Sequence, residues 1–194
     1  MTTNTETLDS AIRKTTALIA GVRPDQRELP TPCPEMNVGQ LVDHLVGWLR
    51  MFAARATETP YAEDPRAFRA GADPAGQFAE AGQRAVAGFR ARSDDSTMHF
   101  GPEMSGAGLP APVALGMMIG EYLGHGWDLA VATGQVVPFT DAEAEVGREV
   151  LGQMLLPEYR GPGKSFGYEV AVPDDATPMD RFLGFIGRQP RVPA

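Results

Sequence analysis

The chain has 194 residues, 43% hydrophobic and 22% charged, a balance that supports one folded domain with a sizeable core. Its formal net charge of −8 gives a surface that repels phosphate backbones and anionic lipid heads, which argues against nucleic acid and membranes as partners. One cysteine excludes an intrachain disulfide framework. Residues 1–10 lack the basic-then-apolar pattern of a secretory signal, and no apolar run is long enough to span a bilayer, so a cytoplasmic location is expected.

The first helix is expected from Glu6 to Val22, where Leu8, Ile12, Thr15, Ile19 and Val22 recur on one face. Gly21 and Pro24 end it. The run Leu29-Pro30-Thr31-Pro32-Cys33-Pro34 predicts a stiff strap, because each proline fixes its own φ and biases its predecessor toward extended backbone. Cys33 within it reads as a small buried hydrophobe, with no base or second cysteine nearby in sequence. Asn37 and Gln40 form a capping-box variant that opens a second helix over Val38–Thr57, with Leu41, Leu45, Trp48, Leu49 and Phe52 in its apolar stripe. A polar loop follows. Asp73-Pro74 then starts a third helix to about Arg92, with Phe78, Ala81, Ala85 and Phe89 inward.

Thr97–Phe100 reads as a short strand. A fourth helix is expected over Ala111–Ala132, closed by Thr133-Gly134. A fifth opens with the capping box Thr140 to Glu143 and buries Val146, Val150, Leu151 and Met154. The alternation of Tyr168, Val170 and Val172 predicts a strand, and Thr177-Pro178 starts a last short helix that stops at Gly187. The expected fold is mainly α, a four-helix bundle with at least one long crossover. Residues 1–194 form one domain in this reading, with 164–194 as a strand–helix extension.

Glu121 and His125 are four residues apart, so on a helix they project about 40° from each other, one turn apart. Their face otherwise carries Ala114, Met118, Asp128 and Ala132, which suggests burial against another helix. His44 sits at the edge of the second helix's stripe. If the two faces meet, two imidazoles and a carboxylate converge, a set that suits a divalent ion and leaves a coordination position open. The same spacing is also met by an exposed pair worth about 0.2–0.5 kcal/mol, with His44 a hydrogen-bonded core histidine. His99 is the rival third ligand. Asp128, one turn beyond His125, is placed to accept that ring's free N–H or to stand as an exposed charge. Gly116, Gly120 and Gly124 form a second stripe that reads as close helix packing.

Thr31-Pro32-Cys33-Pro34 with Leu41-Val42-Asp43-His44-Leu45-Val46-Gly47, then Glu121 through Ala130, then Val172 through Pro190, resembles in order the motifs of an actinobacterial metal-binding family. That family is related to mycothiol-dependent maleylpyruvate isomerase, within the DinB-like helical bundles. The resemblance implies a DinB-like four-helix bundle with a long crossover and a metal held by His44, Glu121 and His125. It departs where many relatives have Trp-Thr and this chain has Met36-Asn37. The isomerase carries an extra C-terminal domain, so its own substrate is not expected here.

Three functions follow as expectations. The first is a transferase or isomerase in which the metal, zinc before nickel, iron or manganese, activates a low-molecular-weight thiol such as mycothiol toward an electrophile. The second is a metal-assisted hydrolase with Asp128 or another acidic side chain as base. The third is a non-catalytic metal or small-ligand module. The oligomeric state is left open, a homodimer among the options.

Overall fold

The computed structural model describes residues 2–104, 106, 108–164 and 166–190. Four long helices make the body: α1 (Thr2–Ala20), α2 (Val38–Ala56), α3 (Pro74–Ala91) and α4 (Ala111–Thr133). Two shorter ones follow, α5 (Asp141–Gly152) and α6 (Pro178–Phe185). Helix α1 packs between α3 and α4, and α2 packs against the same two from the opposite corner, so α1 and α2 lie diagonal to each other. The connections α1–α2, α2–α3 and α3–α4 are all long, and the crossover expected of the bundle is among them.

The starts are set by local chemistry. Asn37 Oδ1 accepts from the Gln40 amide at 2.8 Å, and Gln40 Oε1 accepts from the Asn37 amide at 2.9 Å. Asp73 caps α3 by accepting from the Gly76 amide, and Thr140 and Glu143 repeat the reciprocal box at α5. Helix α1 begins earlier than Glu6, since the polar residues before Leu8 contain no helix breaker. Leu8, Leu41, Leu45, Leu49, Phe78, Phe89, Leu115, Met118 and Tyr122 are fully buried at the centre. At about 1.5–3 kcal/mol for each large apolar side chain, such a set is the main force holding the bundle together.

The two strands, β1 (Thr97–His99) and β2 (Gly108–Pro110), pair antiparallel, with Met98 opposite Leu109. The alternating segment at 168–172 runs extended; the Val170 amide donates to the Gly184 carbonyl at 2.9 Å, tying it to α6 rather than to a ladder. On α5 the buried residues are Ala144, Gly147, Leu151 and the cap Glu143. Val146, Val150 and Met154 are only partly covered, a rotation of the expected face. Ser165 and residues 191–194 of the expected extension lie outside the described residues. No helix among the described residues is long and apolar enough to cross a membrane.

The glycines of α4 explain how α5 and α6 come so close. A β-carbon at Gly120 would lie 2.6 Å from Leu151 Cδ1, and one at Gly124 would lie 2.9 Å from Ile186 Cδ1. Close packing, the expected role of the stripe, is what the structure shows.

Candidate metal centre

His44 projects from α2, and Glu121 and His125 from successive turns of α4. His44 Nε2 lies 2.6 Å from Glu121 Oε1, and His125 Nε2 lies 3.7 Å from the same oxygen. The two imidazole rings meet edge to face, centroids 5.1 Å apart. One donor atom from each of the three residues falls within 4.8 Å of the others. His44 and Glu121 keep 27% of their side-chain surface exposed against 13% for His125, so the cluster opens to solvent on the His44–Glu121 side. Trp48, one turn along α2, flanks His44 at 6.1 Å between ring centroids. Asp43 turns to the 57–73 connection, where it accepts from the Ala70 amide at 2.9 Å.

Behind His125 the surroundings are buried. Asp128 is fully buried and its Oδ2 lies 3.0 Å from His125 Nδ1. Both Asp128 oxygens also accept from Arg188: Nε reaches Oδ1 at 3.0 Å and Nη2 reaches Oδ2 at 2.8 Å. The exposed-charge alternative for Asp128 is thereby set aside. An anionic Asp128 accepts a hydrogen bond from the His125 Nδ1–H, so His125 in its neutral form presents the Nε2 lone pair to Glu121. A lone pair and a carboxylate oxygen facing each other at 3.7 Å need a cation between them, either a proton or a metal ion. Two imidazoles and a carboxylate fit a zinc-like divalent ion by donor chemistry.

Without a metal ion, the electrostatics favour the proton as that cation. Burial alone would raise the Glu121 carboxyl, but His125 and His44 outweigh it and hold it down at about 2. Burial opposes charge on His125 too, yet Glu121 and Asp128 raise it above the ordinary imidazole value. Asp128 is pushed up by burial and brought below its usual value by its bonds to His125 and Arg188.

His99 does not join this cluster. It sits on β1 beside the inward Met98, so strand alternation turns it outward, and it is exposed. Cys33 is far from these residues in sequence, but its sulfur lies within 4.8 Å of donor atoms of His125 and Asp128, and it is half-buried. Burial pushes its thiol up, with Arg188 acting against that. Arg188 lies in the 172–190 run that carries the family resemblance, just after the helix-ending Gly187, and nothing local marks it as a neighbour of His125.

The model of a family described as the mycothiol maleylpyruvate isomerase N-terminal domain matches residues 8–130. The chain belongs to this family. The match contains Cys33, His44, Glu121, His125 and Asp128 and stops before α5 and α6. Two uncharacterized proteins of Mycobacterium tuberculosis, from strains CDC 1551 / Oshkosh and ATCC 25618 / H37Rv, are similar to this member of the isomerase N-terminal domain family. Each is 34% identical over 179 residues, covering 90% of this chain and 92% of the relative. No solved structure matches it significantly.

Proposed function

We propose that the chain is a single metal-binding domain in which His44, Glu121 and His125 hold one divalent ion, zinc first, and that it uses a low-molecular-weight thiol in an S-transfer or isomerisation reaction. Membership in the mycothiol isomerase N-terminal domain family makes mycothiol the first thiol to test. The observation that carries the reading is the convergence of His44 Nε2 and His125 Nε2 on one Glu121 oxygen.

When bound, the ion supplies a Lewis acid and favours the thiolate form of an entering thiol. The residues do the rest. Glu121 provides the negative charge that compensates the cation. Asp128 keeps the His125 proton on Nδ1, so that Nε2 remains a donor. The exposed flank of His44 and Glu121 leaves an approach for thiol and electrophile, with Trp48 as its wall. Three protein donors leave a position open, in keeping with a reactive rather than a closed site. The cytoplasm, where a lone Cys33 stays reduced, is the proposed location.

The hydrolytic alternative asks Asp128 or another acidic side chain to serve as base. The Asp128 oxygens are committed to Arg188 and His125, and their affinity for a proton is lowered, so Asp128 is poorly suited to that task. A closed, non-catalytic site would need a fourth ligand; His99 faces solvent, and Cys33 has its sulfur within 4.8 Å of donor atoms of His125 and Asp128 but is not grouped with His44 and Glu121.

The test is incubation of zinc-loaded protein with mycothiol and an electrophile such as monochlorobimane. Metal-dependent conjugation that is lost in Glu121→Ala is expected. Absence of conjugation across several thiols and electrophiles, or turnover that ignores added thiol, refutes the reading.

A further inference from the structure

The donor His125 is tied to a part of the chain far beyond the matched region. Helix α6 ends in a turn with Gly187 at φ 82°, a conformation natural to glycine. The Gly187 amide donates to the Gly184 carbonyl at 3.1 Å, and the Arg188 amide to the Leu183 carbonyl at 2.8 Å. This paired bonding fixes the direction in which the chain leaves the helix. A β-carbon at Gly187 would also strike Gly167 Cα at 2.6 Å, so position and backbone both require glycine. The helix is seated by Phe182, Leu183 and Ile186, all buried, with Ile186 against Gly124 of α4. The Arg188 side chain therefore emerges at one place, next to Asp128, with only 11% of its surface exposed.

We infer that Arg188 is a positioning residue for the metal centre: through Asp128 it fixes the orientation and tautomer of His125, although its side-chain hydrogen bonds go to Asp128 and not to the three ligands. The inference rests on the metal reading above. Three contacts at 3.2 Å or less lock the Asp128 carboxylate to the planar guanidinium. The carboxylate cannot rotate without breaking them, and its Oδ2 is the atom that meets His125 Nδ1. Arginine suits this role and lysine does not, because an ammonium offers a point charge without the rigid fork. The C-terminal helix is thus a working part of the site rather than an appendage to the bundle. A protein reduced to the matched region would keep all three ligands and lose the group that aligns His125.

The experiment is Co²⁺ titration of the full chain, followed by its visible d–d absorption, with circular dichroism of the metal-free form as a control for folding. Arg188→Gln is expected to weaken Co²⁺ binding by about 10–100-fold and to shift the absorption bands, the range seen when a group supporting a ligand is removed. Asp128→Asn should give a similar loss, and the double variant should be no weaker than Asp128→Asn alone. Should Arg188→Gln fail to fold, Arg188→Lys decides: weakened binding with altered bands supports the role, and unchanged affinity and bands overturn it. If the unaltered protein binds Co²⁺ and Arg188→Gln binds it equally, this inference falls while the metal reading stands. If the unaltered protein takes up no Co²⁺, both fall.

Discussion

His125 and His44 meet the same Glu121 oxygen from opposite helices, but they are held in different ways. His125 has its far nitrogen on a fully buried carboxylate that is itself gripped by Arg188. His44 stands at the solvent edge beside the Trp48 ring, twice as exposed. The α4 half is built in advance from buried, mutually satisfied charges. The α2 half is placed by helix packing and by Glu121. A rigid donor pair on one helix with a wetter partner on the other suits a site that must admit a substrate.

The largest expected effect comes from breaking the buried half. Asp128→Ala leaves the guanidinium of Arg188 without a partner and should cost about 3–5 kcal/mol in urea unfolding of the metal-free protein. His44→Ala in the same assay should cost no more than about 1 kcal/mol, in the range of partly exposed positions. Equal costs would erase the contrast. Gly124→Val drives a branched side chain into Ile186 and pries α6 from α4, with an expected loss of about 1–3 kcal/mol by thermal melting. If Arg188 supports His125, the same variant should weaken metal binding although it leaves every ligand in place.

A second ion pair lies away from the His44–Glu121–His125 cluster. Lys14 Nζ lies 2.8 and 2.6 Å from the two Glu143 oxygens. Burial raises the Glu143 carboxyl, but Lys14 and Ser10 bring it below its ordinary 4.5. A carboxyl lowered on folding contributes stability above its unfolded value and loses it as pH falls through the folded one. Glu143→Gln should therefore lose about 1–3 kcal/mol at pH 7, and the gap to the unaltered protein should close as pH drops below 4.5. A gap that stays constant with pH would mean the pair is not charged in the folded state. The smallest effect is Asn37→Ala, which removes the α2 cap at a cost of about 1 kcal/mol and should leave metal affinity unchanged, since His44 lies well inside the helix.

Much of the bundle was legible because its signals are local. The Asn37–Gln40 and Thr140–Glu143 boxes start helices where expected, and the inward faces of α1 and α3 follow their apolar spacing. The pairing of Glu121 with His125 was legible for the same reason, since four residues make one turn. What brought His44 to them is packing between helices, which periodicity suggests and cannot prove. Cys33 and Arg188 were not legible as neighbours of His125. Their proximity depends on where a proline strap and a six-to-one helix-ending bond send the chain, and both are tertiary outcomes. His99 misled because a histidine in an irregular segment carries no facing until its strand partner is known.

The convergence of three donors is tested most directly by competitive zinc titration against a chromogenic chelator, with His44→Ala, Glu121→Ala and His125→Ala measured beside the unaltered protein. One tightly bound ion per chain, with affinity falling at least about 10-fold in each variant, is the predicted result. Full retention of the ion by any of the three would remove that residue from the site and contradict the assignment.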